Sequence, residues 1–245
     1  MIDIKEGPPL FHRVLLKISG EAFSGVGERG FNPGSLCYLA QEIRKVVDMG
    51  VSLGIVLGGG NHFRGSELQE IDTTSADQIG MLGTVINSLY LKNTLERHCI
   101  RAVVFSSIVS LPGIYPLRYD EMNQAFENGF VVIFAGGTSN PLFTTDTAAA
   151  LRAVEMNANL LVKATKVEGV FSKDPVLDPK AKMYRRISYN EVIRLNLSVM
   201  DIEAFSLCRR YRIPIQVVNF FKEDNLLKTV LEEHVGTLIQ PDTEK

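Results

Sequence analysis

The chain has 245 residues, 45% of them apolar, with 28 acidic against 26 basic side chains and a formal charge of −2. That length suits one large α/β domain, and so balanced a charge excludes an overall basic field for binding nucleic acid. Cys37, Cys99 and Cys208 are too few and too scattered for a disulfide framework or a zinc site, and are expected as reduced, partly buried thiols.

Residues 1–10 read as a tail, 11–240 as a single domain and 241–245 as a second tail. Met1-Ile2-Asp3-Ile4-Lys5-Glu6 is not a signal peptide, and no apolar run reaches the ~18 residues of a membrane span, so no membrane role and a cytoplasmic location are expected. Val14-Leu15-Leu16 opens a short strand that runs into Lys17-Ile18-Ser19-Gly20. Residues 20–34 are glycine-rich and read as a loop. Asn32 and Pro33 are fitted to cap and start a helix, whose apolar face is Leu36, Leu39, Ala40, Ile43, Val46 and Val47. Residues 51–57 form the next strand, which ends in Gly58-Gly59-Gly60-Asn61. A helix over 75–97 follows, with Ile79, Leu82, Ile86 and Leu89 on one side. Then come a strand at 102–105, a helix at 119–128 and a strand at 131–134 that runs into Ala135-Gly136-Gly137-Thr138.

The second half repeats this grammar. An alanine-rich helix spans 145–157, a strand begins at Leu160 and ends at Lys163, and residues 169–187 leave the core. Ser188-Tyr189-Asn190-Glu191 has capping-box spacing for a helix. A helix at 201–212, a strand at 215–218, a helix at 222–231 and a closing strand at 236–239 complete the order. Strand–helix–strand repetition predicts an α/β three-layer sandwich around a mainly parallel sheet, with binding loops beyond the carboxyl ends of the strands.

Neither a P-loop nor a dinucleotide fingerprint is present, so a nucleotide site has to be assembled from other loops. Lys17 through Gly20 offers a point charge and backbone donors at a strand end. Gly58-Gly59-Gly60 allows close approach of an anion, and Arg64 follows with a fork of donors. The run from Gly136 to Asp146 gathers small donors, hydroxyls and an amide before a helix, where unpaired N–H groups can hold phosphate. Asp146 can equally be the N-cap carboxylate of that helix. Lys163-Ala164-Thr165-Lys166 supplies a second strand-end lysine, with Phe171 as an aromatic wall and Asp174 as an acceptor. Two lysines, one aspartate and these loops suit phosphoryl transfer, which needs charge neutralisation and in-line positioning more than a covalent group. Among His12, His62, His98 and His234, only His62 adjoins a glycine loop.

The stretches VLLKISGEAF (14–23), VLGGGNHFRG (56–65), DQIGMLGTVIN (77–87), GGTSNPLFTTDTAA (136–149), LVKATKVEGVFSKDP (161–175) and VMDIEAF (199–205) resemble the bacterial uridylate (UMP) kinases of the amino-acid kinase superfamily. The resemblance implies an amino-acid kinase fold and transfer of the ATP γ-phosphoryl group to UMP with Mg²⁺. It also implies a homohexamer built from dimers, inhibition by UTP and, in many members, activation by GTP.

On the ATP side it implies Lys17, Ile18, Ser19, Gly20, Gly60, Arg64, Thr165, Phe171 and Asp174. On the UMP side it implies Gly59, Asp77 and the run Thr138, Ser139, Asn140, Pro141, Leu142, Phe143, Thr144 and Thr145. Lys17, Arg64, Asp146 and Lys163 are its expected catalytic residues. Ser139 stands where glycine is common, Leu142 where an aromatic is common, and Phe171 where tyrosine is frequent. The 25–31 stretch, longer than a common form, falls where some members are linked to GTP control. A carboxylate or carbamate kinase of the same superfamily is the alternative enzyme, and a nucleotide-binding storage or sensor scaffold the alternative without chemistry.

Overall fold

A computed structural model describes residues 8–24, 29–63, 70–175, 177–178, 180–231 and 235–242. The elements in chain order are β1 (Arg13–Ile18), α1 (Glu21–Ser24), α2 (Pro33–Asp48), β2 (Ser52–Leu57), α3 (Thr73–Arg97), β3 (Ala102–Ser106), β4 (Ile114–Pro116), α4 (Tyr119–Glu127) and β5 (Val131–Ala135). They continue with α5 (Thr145–Glu155), β6 (Leu160–Thr165), β7 (Arg186–Ser188), α6 (Tyr189–Arg194), α7 (Ile202–Arg210), β8 (Ile215–Asn219), α8 (Asn225–Val230) and β9 (Thr237–Gln240). Nine strands form one sheet in the order β4-β3-β5-β2-β1-β6-β8-β9-β7. Every pairing is parallel except β8 with β9.

Helices cover both faces, so the central strands are apolar almost throughout. On one face Val14, Leu16 and Ile18 of β1 pack with residues of α2, α3 and α8. On the other, Leu15 packs with residues of α4, α5, α6 and α7. Strand alternation therefore assigns Lys17, two residues after Leu15, to the α5 face. Lys163 follows Leu161 onto the same face for the same reason.

The start of α2 follows the sequence: the Asn32 side chain accepts from the Ser35 amide at 3.1 Å. The capping box of α6 is formed by Ser188 and Glu191. Three expectations change. The glycine-rich loop from residue 20 contains the short helix α1, nucleated where Ala22 and Phe23 donate to the carbonyls of Ser19 and Gly20. Phe23 is buried beneath it. The edge strands β4 and β7 have three residues each, too short to leave a readable alternation. Of the three thiols, Cys208 is buried, Cys37 half-buried and Cys99 exposed.

The face that α3 turns inward also differs. Leu82 and Ile86 are 51% and 46% exposed. Gly83, Thr84, Val85, Asn87 and Ser88 are buried instead, with Leu91 and Leu95 further along. The second glycine loop decides the rotation. A Cβ on Gly59 would stand 2.5 Å from the Gly80 carbonyl oxygen, so α3 presses on that loop with its small residues. Asn87 donates to the Gly58 carbonyl at 2.7 Å and exchanges hydrogen bonds with Asn61 at 2.7 and 3.1 Å.

Candidate active site

β5, β2, β1 and β6 are consecutive in the sheet, and each is followed by one of the four motifs singled out in the sequence. Their carboxyl ends thus bring the loops together although the motifs are spread over more than half of the chain.

Lys17 and Lys163 are register partners across β1 and β6, pointing to the same face. Asp146, in the first turn of α5, lies between them. Its Oδ2 accepts from Lys163 Nζ at 2.6 Å, and its Oδ1 is 2.8 Å from Lys17 Nζ. The Lys17 contact acts chiefly through charge, because Oδ1 is buried and accepts no well-directed hydrogen bond. Lys163 also donates to the Val199 carbonyl at 2.6 Å. Burial alone would raise the Asp146 pKa, but the two ammonium groups outweigh it and hold the carboxyl below its ordinary value of 3.8. The three side chains carry one net positive charge at the end of the central strands.

Asp146 is not the N-cap of α5. Thr144 caps it, its hydroxyl oxygen accepting from the amides of Asp146 at 3.0 Å and Thr147 at 3.3 Å. The Thr144 hydroxyl donates to Asp201, which also accepts from the Thr147 hydroxyl at 2.8 Å and caps α7 through the Ala204 amide at 2.8 Å. Asp201 lies in the VMDIEAF stretch. The sequence shows the stretch, but not that Asp201 braces the helix carrying Asp146.

Two cavities open beside this triad. The first is lined by Lys17, Ser19, Lys163, Thr165, Phe220 and Phe221 among others. Ile18 borders it, but its side chain is in the core, so only its backbone can meet a ligand. The aromatic walls of this cavity are Phe220 and Phe221. Phe171 is half-buried on the excursion after β6, bridged to Met183, and Asp174 is exposed further along it; neither lines the cavity. The second cavity is lined by Gly59, Gly60, Asp77, Gly137, Phe143 and Thr145 among others. Gly20 separates the first two loops by close contact: a Cβ there would be 2.7 Å from the Gly60 nitrogen. Among the described residues nothing stands within 4 Å of a Cβ position at Gly60.

The loop from 136 to 142 is unusual backbone. Gly136, Gly137, Ser139 and Leu142 all have positive φ, at 82, 61, 74 and 71°. Ser139 therefore occupies a conformation that favours glycine. Thr138 and Asn140 bond to each other within the loop. Pro141 separates them from Leu142, whose amide donates to Asp77 Oδ2 at 2.7 Å. Asp77, expected on the UMP side, thus also holds the end of this loop. Arg64 lies outside the described residues, as do residues 25–28 of the longer stretch.

The chain matches the profile of the "Amino acid kinase family" over residues 12–219. It is 56% identical to the uridylate kinase of Thermosipho melanesiensis, over 95% of this chain and all of that one. It is 44% identical to that of Vibrio campbellii, over 96% of this chain and 97% of the relative. The crystal structure of UMP kinase from Bacillus anthracis superposes with a TM-score of 0.93 at 41% identity, covering 95% of this chain and 97% of that one. A cluster of two strand-end lysines about one aspartate on this sheet, together with these matches, defines the class: the chain belongs to the amino acid kinase family. Within it, the chain belongs with the uridylate kinases.

Proposed function

We propose that the chain transfers the γ-phosphoryl group of ATP to UMP, giving UDP and ADP. The observation that carries this reading is the Lys17–Asp146–Lys163 triad at 2.8 and 2.6 Å, whose lysines line the first cavity and whose aspartate directly follows Thr144 and Thr145 of the second. ATP takes the cavity of Lys17, Ser19 and Thr165, walled by Phe220 and Phe221, and Phe171 and Asp174 keep their place on the adenosine side only through the family resemblance. UMP takes the cavity of Gly59, Asp77 and Thr145, covered by the loop from Thr138 to Phe143.

The transferring group needs stabilisation of charge spread over its oxygens. The two ammonium groups supply it, and Asp146 keeps them together. No general base is needed, because the UMP phosphate is itself an anionic nucleophile. Arg64 adds a guanidinium to the acceptor phosphate in this reading. Asp146 Oδ1, buried without a directed donor, is a hard oxygen suited to Mg²⁺ held mainly by nucleotide phosphates, where the ion offsets phosphate charge. The enzyme assembles as a homohexamer, with UTP as inhibitor and GTP as activator. It works in the cytoplasm on the route to pyrimidine nucleotides. Among the described residues no helix is long and apolar enough to cross a membrane.

The test compares phosphorylation of UMP, CMP, glutamate, aspartate and carbamate, repeated with UTP and GTP. Turnover with UMP is expected. Activity with an amino acid or carbamate and none with UMP would overturn the reading, and nucleotide binding without turnover would make the chain a sensor.

A further inference from the structure

We propose that Arg152 is a positioning residue for the acceptor nucleotide, holding the acceptor loop in shape from beneath through the Gly137 carbonyl. The inference rests on the assignment of that loop to UMP.

Arg152 is on α5 and only 4% exposed. A guanidinium withdrawn from water is costly unless its donors are used. Its Nη1 pairs with Glu155, and its Nη2 donates to the Gly137 oxygen at 3.2 Å. The Glu155 side chain is 35% exposed, so that carboxylate has water available and does not by itself account for burying an arginine. The bond to Gly137 does.

Gly137 opens the acceptor cavity and begins the stretch in which Gly136, Gly137, Ser139 and Leu142 are left-handed. Such a backbone carries no regular ladder and two of its side chains disfavour its conformation, so its shape depends on outside partners. Gly136 has two of them. Its amide donates to Thr84 Oγ1 at 2.9 Å, and its carbonyl accepts from Ser107 Oγ at 3.0 Å. Ser107 Oγ is also 3.4 Å from the Gly137 oxygen, but one hydroxyl proton serves one acceptor at a time. Arg152 is therefore the committed donor to Gly137. Asp77 holds the far end through Leu142. The loop is pinned at its entrance by Arg152 and at its exit by a residue of the acceptor site itself.

Steady-state kinetics of the whole enzyme separate this role from a structural one. Arg152→Met and Glu155→Gln both break the ion pair, but only the first removes the bond to Gly137. Arg152→Met is expected to raise KM for UMP about tenfold, with KM for ATP within about twofold, the loss of one charge-assisted hydrogen bond. Glu155→Gln is expected to leave both constants within about twofold. Arg152→Lys keeps the charge for Glu155 but replaces the fork by one nitrogen; it carries the test if the methionine variant does not fold, and is expected to raise KM for UMP to a smaller extent. An equal rise in Arg152→Met and Glu155→Gln, or no rise in either arginine variant, would overturn the proposal. A rise in KM for ATP with UMP unaffected would overturn the assignment of the loop instead.

Discussion

Lys17 is the side chain to which the proposed function gives the central charge, and its environment separates activity from stability. The triad has two positive charges and one negative, so a single net charge is left to meet phosphate. Lys17→Met makes it neutral and leaves Asp146 paired with Lys163 at 2.6 Å. Turnover is expected to fall about a hundredfold to a thousandfold, the usual consequence of removing one preorganised donor, while the melting temperature stays near that of the parent. Unchanged kcat in Lys17→Met would remove this lysine from the mechanism. Asp146→Asn does the reverse experiment, leaving two cations uncompensated at a buried site, and should cost on the order of 3 kcal/mol in stability. Its pH dependence has a definite sign. The Asp146 carboxyl is depressed below 3.8 by its lysines despite burial. Its stabilisation is therefore complete above the unfolded value and is lost as pH falls through the lower, folded one. Thermal unfolding should show the parent losing stability below about pH 4 more steeply than Asp146→Asn. Parallel acid profiles would mean that the carboxylate contributes nothing to folding.

At the scale of the element, α5 matters more than any strand, because it delivers Asp146. Its first turn is fixed by the Thr144 cap and, through Thr144 and Thr147, by Asp201, the N-cap of α7. Removing the cap by Thr144→Ala should cost about 1 kcal/mol. It should also lower kcat about tenfold, since small displacements of a catalytic group are expensive. Thr144→Ser retains the oxygen and should recover both; a serine variant as slow as the alanine one would point to a contact of the methyl group. Here the limits of reading the sequence are clear. Lys17, Lys163 and the glycine loops are legible because strand ends and glycine runs are local patterns. Parallel topology then brings them together. Asp146 is legible as a residue at a helix start, but not as the link between two lysines rather than a cap. The roles of Arg152 and Asp201 are illegible, because each acts on a loop or helix start outside its own local pattern, even though Asp201 lies in the VMDIEAF stretch. Phe220 and Phe221 fall in the short gap between the strand at 215–218 and the helix at 222–231 and belong to no motif of the sequence. Only the fold shows that they wall the cavity beside Lys17.

For the whole molecule, the rotation of α3 has the largest consequence. Apolar periodicity groups Leu82 and Ile86 on one side of the helix, yet that side is exposed; the buried side carries Gly83, Thr84, Asn87 and Ser88 around Val85 where it meets the Gly58–Gly60 loop, and Leu91 and Leu95 beyond it. Leu82 and Ile86 are left outside, and Tyr90 continues the row at 39% exposure while stacking on Phe31 at 3.9 Å. A row of this kind on a helix is the usual mark of a protein contact. If the proposed hexamer is built through this row, it would meet the same row of a second copy in a self-complementary, two-fold contact. The partner would then brace the helix that carries Asp77 and the support of the second glycine loop. Replacing Leu82 and Ile86 together by glutamate should lower the mass seen by light scattering to that of a smaller assembly. The change to the fold itself should stay within about 0.5 kcal/mol per site, as for other surface substitutions. The kinetic signature is specific: a loosened α3 reaches the acceptor cavity through Asp77 and Gly59, so KM for UMP should rise more than KM for ATP. A double variant with unaltered mass would place the subunit contacts elsewhere and leave this face without a partner.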